Sequence, residues 1–165
     1  MANREFNFGE PLGYFITWTT YGTWLPGDER GWVAWGNGEQ TGDDEIRRES
    51  ELSLKERPFL MTHADRRCVE STVQRHCVIR NWDLHAVSAR SNHVHVVATA
   101  PDYAPEIVRD QFKAWTSRKL KERHPQRERF WTEGASCRWL NHQDELENAV
   151  RYTLDAQDRK VRDAY

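Results

Sequence analysis

Trp82-Asp83-Leu84-His85-Ala86-Val87-Ser88-Ala89-Arg90-Ser91-Asn92-His93-Val94-His95-Val96-Val97-Ala98-Thr99-Ala100 is the stretch whose reading decides the fold. Two runs of β-branched and small residues flank the polar pair Arg90-Ser91, which reads as a tight turn. The pattern predicts strands over 82–89 and 92–100, paired antiparallel as a hairpin. Side chains alternate along a strand, so His93 and His95 share one face while Val94 and Val96 take the other. A two-residue turn sets Ala86 opposite His95 and Ser88 opposite His93, which leaves space over the imidazoles. It also puts His85 on the face away from His93, outside any site the pair forms. Neutral imidazole is the commonest protein ligand for a divalent metal, so the pair is a candidate half site. The same spacing suits two polar residues on a half-exposed sheet face, and the motif alone does not separate the two readings.

Upstream of the hairpin, Gly13 to Thr20 is aromatic and β-branched and predicts a first strand. Tyr21 to Asp28 breaks it, with Pro26-Gly27 as the turn. From there to about residue 60 the chain is polar, acidic and without clear period, with a short helix expected near 49–55. A loop of this length inside a compact domain is unusual and often functional. Thr62 is placed to cap a helix, with Asp65 three residues on, and Val69, Val73 and Cys77 form its buried stripe. Downstream, Pro105 suits a helix start, with Val108, Phe112 and Trp115 as the apolar stripe. A fourth strand is expected at 136–140, followed by a helix capped by Asn141 with Asp144 at its third position.

Strand, helix, strand, strand, helix, strand is the split βαβ order. It predicts an α+β, ferredoxin-like, four-stranded antiparallel sheet with two helices on one face. The final helix is then available for the other face. The chain reads as one domain over 1–165 carrying an acidic insertion at about 28–60.

Composition narrows the function classes. The net charge of −2 is not that of a strongly basic nucleic-acid binder. Charge is uneven, however: the second long helix carries Lys113, Arg118, Lys119 and Arg123, a local patch able to attract phosphate. Eight tryptophans, among them Trp18, Trp24, Trp32 and Trp35, serve either as core anchors or as base-stacking platforms. Cys68, Cys77 and Cys137 form no C-x-x-C pair, so neither a disulfide framework nor a zinc knuckle is indicated and a cytoplasmic location is expected. No apolar run is long enough to span a membrane. His63, His76, His124 and His142 are scattered on helices and read as solvent-facing.

In the last helix Leu146, Val150 and Leu154 define a buried stripe, and Tyr152 lies off it, on the polar side with Asn148 and Asp155. A tyrosine there is either a surface residue or a working one.

The chain resembles the single-tyrosine HUH transposases, the group that includes the REP-associated tyrosine transposases. The resemblance rests on the hairpin from Leu84 to Val97, on Phe130-Trp131-Thr132-Glu133, and on Asp144-Glu145-Leu146 leading into Tyr152. It implies a ferredoxin-like fold, His93 and His95 as metal ligands, and Tyr152 as catalytic nucleophile. It further implies Mg2+ or Mn2+ as cofactor and single-stranded DNA, often beside a hairpin, as substrate. The implied activity is strand cleavage and transfer through a 5′-phosphotyrosine, in transposition or mobilisation of a repeat element. The family's third ligand stands four residues after the tyrosine, where this chain has Ala156. Gln157 is one residue late and falls on the leucine stripe of a straight helix, whereas Asp155 is one early but on the tyrosine's face. Gln157 is the favoured third ligand, brought round by a local bulge, and Asp155 its rival. Two other readings stand beside this one: a domesticated hairpin-binding protein without cleavage activity, and an unrelated metal-binding ferredoxin-like domain. Whether the tyrosine acts within its own subunit or across a homodimer stays open.

Overall fold

A computed structural model describes residues 10–34 and 36–156. The main sheet contains β1 (Gly13–Thr19), β4 (Asp83–Ala89), β5 (His93–Thr99) and β6 (Ser136–Leu140). Its spatial order is β4-β5-β1-β6, with every neighbouring pair antiparallel. With α2 (His63–Arg80) between β1 and β4, and α3 (Pro105–Arg123) between β5 and β6, this is the ferredoxin-like arrangement expected from the element order.

Alternation divides the sheet into two faces. Tyr14, Ile16, Trp18, Val94 and Val96 are buried in one core with Val69, Val73 and Cys77 of α2 and Val108, Phe112 and Leu120 of α3. α2 begins as expected, the Thr62 hydroxyl accepting from Asp65 N while the Asp65 carboxylate accepts from Thr62 N. On α3 the stripe continues through Thr116 and Leu120, and Trp115 is turned outward, 42% exposed. His76 is buried, not solvent-facing: its Nε2 bonds Gln111 Oε1 at 2.8 Å, joining α2 to α3.

The second face carries Phe15 and Val97 and packs against α4 (Gln143–Arg151) through Leu146, Ala149 and Val150. Gly13 eases the packing of β1 on β5, since a β-carbon there would lie 3.1 Å from Ala98 O and 3.3 Å from Thr99 Oγ1, whereas its 3.5 Å to Leu146 Cδ1 of α4 is ordinary contact. α4 starts one residue later than expected. The Glu145 carboxylate, rather than Asp144, closes its first turn by accepting from the Asn141 and His142 N–H groups. A π-helical turn, Tyr152–Ala156, follows α4 directly. Here the expected stripe shifts: Thr153 is fully buried and Leu154 is 48% exposed. The Thr153 hydroxyl donates to Ala149 O at 2.8 Å, a side-chain bond that competes with the helical ladder and helps open the turn.

The insertion is ordered. It holds the hairpin of β2 (Trp32–Ala34) and β3 (Gly38–Gln40), then α1 (Asp44–Leu52), which starts five residues before the helix expected there. Gly27 has φ +86, and a β-carbon there would collide with the backbone of Asp43 and Arg47 where α1 begins. The segment after α1 is pinned to the body. Phe59 N donates to Tyr21 O, Met61 N to Ser91 O, and the Glu56 carboxylate accepts from Glu128 N. The insertion therefore joins the sheet at the end where β1 finishes and β5 begins.

Candidate active site

The hairpin turn is Ser91-Asn92, closed by the bond from Arg90 N to His93 O, one residue beyond the pair the sequence suggested. Ser88 accordingly faces His95 and Ala86 faces Val97, so a small residue still sits opposite His95. Tertiary contacts account for the shift. Ser91 O accepts from Met61 N, and Asn92 O accepts from both the N–H and the hydroxyl of Thr20. A bulge between Leu84 and Ala86 also turns His85 onto the histidine face, where its Nε2 meets Thr99 Oγ1 at 2.7 Å. This corrects the expected placement of His85. It remains remote from His93, at the other end of β5.

His93 and His95 lie on the α4 face of the sheet with ring centroids 4.8 Å apart, inclined at 71°. Both Nδ1 atoms are engaged. His93 Nδ1 donates to Asn92 Oδ1 at 2.6 Å, and Thr17 Oγ1 lies 2.6 Å from His95 Nδ1. Thr17 reaches His95 because the two are direct cross-strand partners of β1 and β5. His95 is buried and its ring stacks on Phe15 at 5.3 Å. Burial foremost, then the neighbouring His93 and the Arg90 charge, drives its pKa down to about 3. A neutral imidazole whose Nδ1 proton is accepted by the neighbouring oxygen keeps its Nε2 lone pair available, the form a divalent cation requires. The donor set therefore suits half of a metal site. Among the described residues no three His, Cys, Asp or Glu side chains converge, so other ligands would complete the shell.

Tyr152 comes to this pair from the far end of the chain. Its ring lies 5.6 Å from that of His95, at 73°, and 6.1 Å from that of Phe15, at 83°. It is 48% exposed, half on the sheet and half in solvent, rather than on a fully polar helix face. His93, His95 and Tyr152 are thus brought together. Asp155 is exposed on the π turn, and Gln157 lies outside the described residues, as does Trp35.

The basic residues of α3 are not at this site, because α3 packs on the opposite face of the sheet. Lys113 Nζ donates to Thr132 O and Gly134 O, and Arg123 Nε donates to the buried Asp65 carboxylate at 2.7 Å. Arg118 lies over the Trp115 ring at 4.7 Å, and Lys119 pairs with Glu122 at 3.1 Å.

Sequence reasoning missed Phe15, Thr17 and Asn92 as parts of the site. Alternation along β1 puts Phe15 and Thr17 on one face, but only the β1–β5 register reveals which histidine they meet.

A model of the family described as "Transposase IS200 like" matches residues 52–154, a stretch that includes the hairpin, both histidines and Tyr152. The chain belongs to the IS200-like transposase family. Membership points to DNA transposition as the activity and to DNA as the partner. The transposase chain is also similar to a solved Deinococcus radiodurans R1 protein provisionally described as a transposase. The two are 13% identical, with 87% of this chain and 94% of that chain covered, at a TM-score of 0.46. No curated protein matches the chain. No described helix is long and apolar enough to cross a membrane.

Proposed function

We propose that this transposase cleaves and rejoins single-stranded DNA through a covalent 5′-phosphotyrosine on Tyr152. The observation that carries the reading is the meeting of the Tyr152 ring with the His93–His95 pair, 5.6 Å from His95 on the α4 face of the sheet. A nucleophile and two imidazoles on one rigid face are the parts that phosphoryl transfer without a nucleotide cofactor needs.

His93 and His95 would hold Mg2+ or Mn2+. Bound there, the cation would polarise the scissile phosphate and offset charge gained in the transition state. Tyr152, its phenol proton passed to solvent, attacks phosphorus through Oη. The bond from phosphorus to the 3′ oxygen breaks, and that oxygen takes a proton and leaves as a 3′-hydroxyl. The phosphotyrosine keeps a phosphodiester's worth of free energy, so attack by another 3′-hydroxyl reseals the strand without ATP. Phe15, stacked on His95 and edge-on to Tyr152, keeps ligand and nucleophile in register.

For the third ligand the reading favours Gln157 over Asp155. Gln157 stands one residue beyond the family's usual ligand position and lies outside the described residues, so the preference rests on the sequence resemblance alone. The α3 residues Arg118 and Lys119 would bind a flanking segment of DNA, away from the cut. A single-stranded substrate with a hairpin fits this division between a cutting face and a binding flank.

The reading is tested with His93→Ala/His95→Ala, which should abolish Mn2+-dependent cleavage of single strands drawn from around the protein's own gene. DNA binding should survive. Normal cleavage by the double variant contradicts the assignment. Adduct-free binding of hairpins by the parent on every such substrate would favour a domesticated binder.

A further inference from the structure

Each candidate ligand has a separate oxygen on its inner ring nitrogen, and the two oxygens come from different places in the chain. Asn92 Oδ1 stands 2.6 Å from His93 Nδ1, at the hairpin turn; Thr17 Oγ1 stands 2.6 Å from His95 Nδ1, on the adjoining strand. Neither residue owes its place to chance packing. Thr17 is fixed by the β1–β5 register, which pairs it with His95. Asn92 is fixed through its own carbonyl, which accepts from Thr20 N at 2.9 Å and from Thr20 Oγ1 at 3.2 Å. Thr20 is fully buried and bonds Thr23 in turn, so the turn has little freedom to rotate.

An amide oxygen can only accept, so the bond to Asn92 requires the proton of His93 to sit on Nδ1. Nε2 is then bare. A hydroxyl can do either, but acceptance by Thr17 gives His95 the same tautomer, with Nε2 again bare. We infer that Asn92 and Thr17 are the positioning residues of this site, holding both histidines as Nδ1–H tautomers with Nε2 presented outward to a divalent cation. The inference rests on the metal-centre reading above and adds what selects the tautomer and fixes the aim of each ring. Neither residue touches the reacting atoms. Their effect passes through the histidines, as outer partners of metal-bound imidazole do elsewhere, where losing one weakens metal binding roughly 10- to 100-fold.

The test uses the full chain and Mn2+ alone, followed by isothermal calorimetry without DNA, beside 15N imidazole spectra of the metal-free protein. Thr17→Val removes the hydroxyl at constant shape and Asn92→Leu removes the amide oxygen. Each should weaken Mn2+ binding about 10- to 100-fold. Thr17→Ser and Asn92→Asp keep an oxygen in place and should stay within about threefold of the parent, which separates positioning from loss of fold. In the metal-free parent both rings should show the Nδ1–H tautomer. In Thr17→Val, His95 should become a mixture while His93 is unchanged. Unaltered Mn2+ affinity in Thr17→Val and Asn92→Leu, with binding abolished in His93→Ala/His95→Ala, overturns the positioning role and leaves the metal centre standing. Unaltered affinity in the double histidine variant overturns both.

Discussion

The ring of Tyr152 meets the ring of His95 edge to face at 5.6 Å, although 56 residues separate them in the chain. One belongs to the second strand of the central hairpin, the other to the first residue of a π turn at the end of α4. Phe15 touches both, stacked on the histidine at 24° and perpendicular to the tyrosine at 83°. Three elements from the start, middle and end of the chain therefore meet in one aromatic cluster. Its geometry depends on the sheet register that places Phe15 opposite Val97 and Thr17 opposite His95.

Phe15 is the joint of that cluster. Phe15→Leu keeps an apolar group against α4 but removes both ring contacts, each of which is worth about 0.5–1.5 kcal/mol beyond simple burial. The expected outcome is a loss of about 1–2 kcal/mol in urea denaturation. Cleavage at saturating DNA and Mn2+ should fall roughly 10- to 100-fold, as small displacements of a nucleophile do. An unchanged cleavage rate would show that Tyr152 and His95 need no common support.

Asp65 links the start of α2 to the end of α3. Its carboxylate is fully buried and accepts from Thr62 N, from Arg123 Nε at 2.7 Å and from His124 Nε2 at 2.9 Å. Burial alone pushes its pKa up, but the bonds from Arg123, His124 and Thr62 together outweigh it and hold the group below its ordinary value of 3.8. A folded-state pKa below the unfolded one stabilises the protein fully above the ordinary value, and this contribution is lost as pH falls through the depressed one. Stability of the parent should therefore drop steeply in the acid range below about pH 5. Asp65→Asn should be less stable at neutral pH by about 1–3 kcal/mol and show a shallower acid limb. Parallel pH profiles for the two proteins would remove Asp65 as the source.

Much of this could be read before any coordinates. Hydrophobic period and caps located β1, α2, the hairpin, α3 and β6, because each carries a strong local signal: Thr62 with Asp65, Pro105, and the alternation through Val94 and Val96. The shared face of the histidine pair was legible for the same reason, whereas Tyr152 was singled out as a working residue only by the family resemblance. What was not legible depends on contacts between distant segments. The hairpin register follows from Met61 and Thr20 gripping Ser91 and Asn92, and nothing in the hairpin itself announces that. The bulge at His85 is equally silent. Leu154 reads as core on an ideal helix, but the π turn shifts the phase and buries Thr153 in its stead. The insertion has few apolar residues and no period, so its hairpin was not legible and α1 was expected only as a short helix near 49–55. The basic run on α3 was readable as charge, but not as charge on the face away from the histidines, with Lys113 and Arg123 bonded within the protein.

The position of this charge shapes the expectation for DNA. Reversing charge at Arg118 and Lys119 should weaken binding of single strands and lower the salt slope of log affinity by about 1.4, the share of two phosphate contacts. Cleavage within the saturated complex should stay as in the parent, since neither side chain lies on the histidine face. Unchanged affinity and slope would mean that the strand runs instead along the insertion side, past Trp24 and Arg30, whose guanidinium lies 4.1 Å from the indole.

The central claim is that Tyr152 becomes covalently joined to DNA. Tyr152→Phe keeps the ring that contacts His95 and Phe15 and removes only the phenolic oxygen, so folding, Mn2+ binding and DNA binding should match the parent. The measurement is denaturing electrophoresis of protein incubated with labelled single-stranded DNA and Mn2+, read for a band that carries both protein and label. That band is expected with the parent and not with Tyr152→Phe; a band of equal intensity in the variant would contradict a covalent role for Tyr152.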